Sequence, residues 1–474
     1  MDKTVELIEA FNNKYWYLVI VLLVVAGVWF GLRTLFVQIR YIPDMFKAVT
    51  EKPAEDGGEK QISAFKAFTI SAASRVGTGN VAGVALAISL GGPGAVFWMW
   101  MLALLGGATS FVESTLAQAY KSSSGDAFRG GPAYYITKAL GWKWMAALFA
   151  ILITVTYGFV FNAVQSNSIA AAMVNSFDNG HDNTIKLIVG LITALVTALV
   201  IFGGVHRIAN VTQVIVPIMA MAYVVVGIIV IIINIKQVPG MFSDIIAGAF
   251  GVRQFVGATF GAVVMQGVRR GLFSNEAGMG SVPNAAATAT VSHPVKQGLS
   301  QTLGVYFDTI LVCTITAFIV LLGTKDLGAA EGGMALTQHA LANSVGEWGI
   351  HFLTVLIIFL AYSSVIGNYY YGEANIQFLT QNKSVMPIFR LLVVLCVFLG
   401  ALGTIPLVWS LADVFSGLMA TVNLIALIPL GGVALVLLKN YDQQRHVGKD
   451  PQFYREDIPS STRGWAGMEC WDKK

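Results

Sequence analysis

The sequence predicts an all-α polytopic membrane protein of about eleven transmembrane helices, built as a five-plus-five inverted repeat with one extra N-terminal helix. Three observations predict it. Of 474 residues, 55% are hydrophobic and only 12% are charged, about half the charge of an ordinary soluble domain. Apolar runs of about 20 residues, the length that crosses the hydrocarbon of a bilayer, recur along the whole chain. A glycine-rich interruption also appears twice, in the same local pattern, 195 residues apart.

Taken in order, the first run spans about 15–36. Asp2, Glu6 and Glu9 precede it, Arg33 and Arg40 follow it, and no small-residue cleavage pattern is present, so it reads as a retained helix rather than a signal peptide. From Phe36 to Lys47 aromatic, aliphatic and basic residues mix, the pattern of a segment lying along the membrane surface. Residues 51–61 form a polar linker. Apolar runs then follow at about 64–90, 94–120, 142–175, 184–203 and 207–235. A second series lies at about 254–285, 298–323, 348–378, 386–404 and 407–438. The runs are continuous rather than alternating, which speaks against a β-barrel. The domains expected are 1–40 (extra helix), 41–63 (cytoplasmic linker), 64–240 and 241–440 (two repeats) and 441–474 (cytoplasmic tail).

The charges test this order. With the loop after the first helix placed inside, 23 of the 30 Lys and Arg fall on the inner side, Arg269 and Arg270 among them. Six fall outside, and Arg75 lies within a span. That bias is the positive-inside rule, and it sets the N-terminus outside and the tail in the cytoplasm. A net charge of +4 is too small to suggest a nucleic-acid partner. Cys313, Cys396 and Cys470 are too far apart to suggest a disulfide framework or a metal spacing.

The interruptions carry the functional signal. Arg75-Val-Gly-Thr-Gly-Asn80-Val-Ala-Gly83 and Arg270-Gly-Leu-Phe-Ser-Asn275-Glu-Ala-Gly278 both fit R-x4-N-x-A-G. Five runs begin at each. An odd number of crossings reverses the chain, so the halves must be inverted copies. Glycines loosen the helical ladder and leave backbone groups bare, which lipid penalises by several kcal/mol per group unless the break lines a cavity or binds something. A half-helix N-terminus offers N–H groups and positive dipole to a carboxylate; bare carbonyls suit an ammonium or a metal ion. Matched breaks therefore predict a midplane site for a zwitterion with a cation. For a lone glycine pair, close helix crossing is the ordinary explanation; Arg and Asn at equal offsets favour a binding role.

Here the sequence also resembles a known family. GTGNVAGVALAISLGGPGAVFWMW (77–100), FRGGPAYYI (128–136), NAVQSNS (162–168), GLFSNEAGMGSVPNAAA (271–287) and WSLADVF (409–415) are similar to the alanine or glycine:cation symporters. The resemblance implies a leucine-transporter-type fold and uptake of a small neutral amino acid (alanine, glycine, serine or D-alanine) with Na+ as coupling ion. It implies substrate contacts from Arg75, Thr78, Gly79, Asn80, Gln165, Phe273, Ser274, Asn275 and Glu276. Within that set, N–H groups near Thr78–Asn80 take the carboxylate, Gln165 and carbonyls near Phe273–Asn275 take the ammonium, and Phe273 caps a methyl pocket. A cation is expected between the carbonyls of Ala73 and Val76 and the hydroxyls of Ser363 and Ser364. For each serine alone a hydrogen bond to its own helix is the plainer explanation.

Five acids lie in or beside spans: Glu113, Glu276, Asp308, Glu373 and Asp413. Such residues face cavities or partners, and pairing with Arg75, Arg269, Arg270 or helix ends is their structural reading. A proton relay through them is the alternative to sodium. An intramembrane enzyme is disfavoured by the absence of H-E-x-x-H and of any mid-span lysine, and by the wide separation of the buried acids along the chain. A channel is disfavoured, because paired inverted halves suit alternating access. The sequence implies no cofactor beyond the ion and is silent on oligomeric state.

Overall fold

A computed structural model describes residues 3–51, 62–124, 127–177, 180–202, 204–253, 258–324, 327 and 333–473. Of the described residues, 82% are helical. Among the described residues, nine stretches are long and apolar enough to cross a membrane. They fall in α1 (Lys3–Arg33), α4 (Gly94–Ala119), α5 (Lys143–Phe177), α6 (Asp182–Ile201), α7 (Gly204–Ile233), α11 (Pro294–Gly323), α13 (Trp348–Leu379), α14 (Val385–Leu402) and α15 (Ile405–His446). The other two apolar runs are the interrupted ones. The first consists of α2 (Ala64–Arg75), a π-type turn at Gly79–Gly83 and α3 (Val84–Gly91). The second consists of α9 (Phe260–Asn275) and the short α10 (Val282–Ala286).

Burial separates the layers. Leu191, Leu195 and Leu199 of α6 are each about 60% exposed, a helix face fit only for lipid. By contrast, α4 and α9–α11 bury most of their residues, and α4 packs against both α9 and α11. The extra helix α1 lies along α15, where the Trp16 indole donates to the Asp413 carbonyl at 3.1 Å. A short helix, Ile42–Val49, follows the turn after α1. Phe46 is 59% exposed and Met45 fully buried, so this helix has one apolar face packed and one open.

Two helices occupy connections that sequence reading left without structure. They are α8 (Val238–Ala249) and α12 (Met334–Val345). Each has 12 residues, too few to span. The first packs at the start of α4, where the Trp98 indole donates to the Ala249 carbonyl at 3.1 Å; the second packs on the first break, where Thr337 Oγ1 donates to the Val81 carbonyl at 3.3 Å. Strands Ser122–Ser124 and Ala127–Arg129 form a small hairpin after α4.

The tail is docked, not loose. Phe453, Ile458, Met468 and Trp471 are buried. The Trp471 indole donates to the Gln118 carbonyl at 2.9 Å, and Phe453 N–H donates to the Ser292 carbonyl at 2.9 Å. Lys121, just beyond α4, is fully buried beneath the ring of Trp471 at 4.6 Å. Burial pushes its amine down to about 7. Apolar burial holds the tail, so the exposed Lys138–Glu469 pair at 2.8 Å should add little. Glu469→Gln is expected to leave the melting temperature in detergent unchanged within error.

One charge assignment needs correction. Arg269 and Arg270 do not lie on the tail side: Arg269 donates to Asn13 Oδ1 at 3.2 Å, near the start of α1, and both arginines face Asp413. They sit inside α9, which has not reached the tail side by that point.

Candidate functional site

The first break opens because its ladder is diverted. Val76 N–H makes the last α-helical bond, to the Ala72 carbonyl at 2.7 Å. Gly77 N–H, which would go to Ala73, donates to Asn80 Oδ1 at 2.9 Å instead. Thr78 N–H donates to Gln165 Oε1 of α5 at 3.1 Å. The Ala73 carbonyl is thereby freed, and Ser364 Oγ of α13 donates to it at 2.8 Å while standing 3.5 Å from the Val76 carbonyl. Three hard oxygens converge there. Ser363 is not one of them by contact, since its hydroxyl donates to the Leu360 carbonyl of its own helix at 2.8 Å.

The second break turns sharply. Glu276 adopts a left-handed backbone at φ 58°, followed by Gly278 at 84° and Gly280 at 83°, values that favour glycine. Gly278 N–H donates to Glu113 Oε1 at 3.1 Å, and Asn423 Nδ2 donates to Glu113 Oε2 at 2.8 Å. Glu113 thus serves the freed backbone of the break.

The breaks meet. Asn80 Nδ2 donates to Ser274 Oγ at 3.0 Å and to Asp308 Oδ1 at 2.6 Å, and Ser274 Oγ donates to Asp308 Oδ2 at 2.5 Å. Asp308 lies in a π-helical stretch, Tyr306–Cys313, within α11, a distortion frequent at functional sites. Phe273 rests on Gly79, where a Cβ would come within 2.7 Å of its ring. It is flanked by Phe161 at 4.6 Å and Trp409 at 5.0 Å between centroids.

The structure therefore brings together Thr78, Gly79, Asn80, Gln165, Phe273 and Ser274, and beside them Ala73, Val76 and Ser364. Asn275 takes a cap role, its Oδ1 accepting from Ala277 N–H at 3.0 Å. Arg75 turns away from Thr78 and Gln165: its guanidinium donates to Ser71 Oγ at 3.0 Å and Gln301 Oε1 at 3.1 Å and lies against Gly304. The Glu276 carboxylate accepts from Ser74 at 3.0 Å and Ser281 at 2.6 Å. Of the acids, Asp413 pairs with Arg270 and Arg269 and Glu373 with Arg390. No such pair is formed by Glu276 or Asp308 among the described residues. Sequence reading missed Ser74, Asn368, Phe161 and Trp409 as parts of the site. Two of them left a signal: Asn368 lies four residues beyond Ser364 and so on the same helical face, and Trp409 heads the WSLADVF motif.

Two touching breaks, with freed N–H groups, freed carbonyls and a hydroxyl beside one another, suit a secondary transporter, and comparison with known proteins gives the class: an amino-acid symporter rather than an enzyme. The chain belongs to the sodium:alanine symporter family, whose description matches residues 1–455. A probable sodium/glutamine symporter, GlnT of Bacillus subtilis (strain 168), is 49% identical over 97% of this chain and 94% of its own. The amino-acid carrier protein AlsT of the same organism is 49% identical over 98% and 97%. Among solved structures, MhsT in complex with L-phenylalanine superposes with a TM-score of 0.55 at 13% identity, covering 87% of this chain and 96% of that one. The fold is the leucine-transporter type, and the chain is a multi-pass membrane protein.

Proposed function

We propose that this chain carries a small neutral amino acid, alanine foremost and glycine, serine or D-alanine beside it, into a prokaryotic cell together with Na+. Its N-terminus lies outside and its tail inside, and the two repeats, 64–240 and 241–440, carry the solute across by alternating access. One observation carries the reading: residues 73–78, where α2 ends and the chain unwinds, present two freed carbonyls at Ser364 and the Thr78 N–H held by Gln165. Ion and solute would thus share one piece of backbone.

The solute carboxylate takes the Thr78 N–H and the N-terminal end of the half-helix that starts at Gly79, displacing Gln165 Oε1, which then accepts from the ammonium. Carbonyls near Phe273–Asn275 complete the ammonium shell. Phe273, backed by Phe161 and Trp409, bounds the side-chain pocket. Na+ sits on the Ala73 and Val76 carbonyls and Ser364 Oγ. Asn80 acts by fastening the first break to Ser274, since both ends of its amide are engaged. One charge falling through 100 mV releases about 2.3 kcal/mol, enough for roughly 50-fold accumulation of a neutral solute.

Gln165→Ala is expected to raise the half-saturation concentration for alanine at least tenfold while leaving the melting temperature unchanged. Uptake of labelled alanine into proteoliposomes should require an inward Na+ gradient. Equal uptake driven by a proton gradient in sodium-free buffer would overturn the ion assignment, and stronger competition by glutamine than by alanine would overturn the solute assignment.

A further inference from the structure

The buried acids differ in how completely they are matched. Asp413 has two arginines and Glu373 has Arg390. Glu113 receives a backbone N–H and an amide N–H. Asp308 receives donors from Asn80, Ser274 and Thr309. Glu276 has hydroxyls alone, those of Ser74 and Ser281 with Tyr157 beside them, and Ser74 is shared. Ser74 Oγ stands 3.0 Å from Glu276 Oε1 and 2.7 Å from Asn368 Oδ1; its single proton cannot serve both acceptors. Three oxygens thus face one another around one proton, and Asn368 Nδ2 has no partner although the residue is fully buried. The neighbouring guanidinium of Arg75 is committed to Ser71 and Gln301. An ionised carboxylate at this depth is costly without a counter-charge.

We propose that Glu276, Ser74 and Asn368, with Ser281 behind them, form a second site for a monovalent metal cation. Its donors are a carboxylate, an amide oxygen and hydroxyls, the hard oxygens that alkali and alkaline-earth ions take. One carboxylate supplies one negative charge, which a monovalent ion balances and a divalent ion exceeds. The site shares its scaffold with the first: Ser74 follows Ala73 on α2, and Asn368 lies one turn beyond Ser364 on α13, about 6 Å further along that helix. That displacement is toward the tail side, where Tyr134 and Phe378 pack together. The carboxylate comes from the second break, so an ion here ties the two halves as well as neutralising the acid.

This inference rests on the sodium-coupled reading above and adds a second ion to it. The test is equilibrium binding of radioactive 22Na+ to the purified full chain in detergent with saturating alanine. Wild type is expected to bind two ions per chain, and Glu276→Gln and Ser364→Ala one each. Glu276→Gln should also lower the Hill coefficient for Na+ in alanine uptake from near two to near one. Folding is checked by size-exclusion and by retained alanine binding, and Ser74→Ala, which keeps the carboxylate, should weaken the second ion at least tenfold if Glu276→Gln fails to fold. One ion bound by wild type and still one by Glu276→Gln would overturn the second site while leaving sodium coupling intact. Two ions bound by Glu276→Gln would overturn it as well. A proton released on alanine binding by wild type but not by Glu276→Gln, with sodium stoichiometry unchanged, would show that the acid binds a proton instead. No sodium bound by wild type would overturn the coupling itself.

Discussion

Alanine at Gly77 is expected to abolish sodium-driven uptake. A Cβ there would stand 2.2 Å from Ser364 Oγ and 2.9 Å from Gln165 Oε1. Those two atoms hold the ion and solute sides of the first break, so one methyl group disturbs both. Neither can simply retreat: Ser364 is bound to the Ala73 carbonyl and Gln165 to the Thr78 N–H. Overpacking of this kind costs typically 1–3 kcal/mol, and here the strain falls on the binding geometry itself. Uptake in proteoliposomes should drop more than a hundredfold while the protein still elutes as a single species. The same substitution at Gly432, which has open space beside it, is the control and should transport normally. Comparable uptake by the two variants would show that the site lies elsewhere.

Asp413→Ala should be the most destabilising single change. It would strand Arg270, 2% exposed, and Arg269, 5% exposed, in the interior. Arg270 also lies over Trp409 at 4.8 Å, and Trp409 packs at a tilt against Phe273. Breaking a buried pair by removing one partner costs about 3–5 kcal/mol, to be read as a large fall in melting temperature in detergent. Asp413→Asn, which keeps hydrogen-bond acceptance, should lose less. A melting temperature for Asp413→Ala equal to wild type would mean that the pair is not formed in the folded protein.

Much of this architecture was legible because lipid imposes simple rules. Length and apolarity mark the spans, and the cost of bare backbone makes Gly77–Gly83 and Gly271–Gly280 stand out in long apolar runs. Equal spacing from Arg to Asn pointed to both interrupted runs, yet the chain unwinds directly after Arg75 in the first and only after Asn275 in the second. Arg75 ends α2 and meets Gln301 on α11, whereas Arg270 lies five residues before the end of α9 and meets Asp413 on α15. An offset along the chain fixes a helical face and says nothing about what that face touches. The Glu276 cage was hidden for the same reason, since Ser74 and Asn368 lie far from it along the chain. The helices at Val238–Ala249 and Met334–Val345 escaped because amphipathic segments of 12 residues pass no spanning criterion.

The docked tail constrains how the molecule can move. Trp471 grips the end of α4, and Phe453 grips the entrance to α11, so the strap joins a helix of one repeat to a helix of the other. Those two helix ends must then travel as one rigid unit through each turnover, with hinging displaced to helices the strap does not hold. Spin labels placed near residues 122 and 291 should keep a single narrow distance whether ions and solute are present or absent, while pairs running from either position to α14 should not.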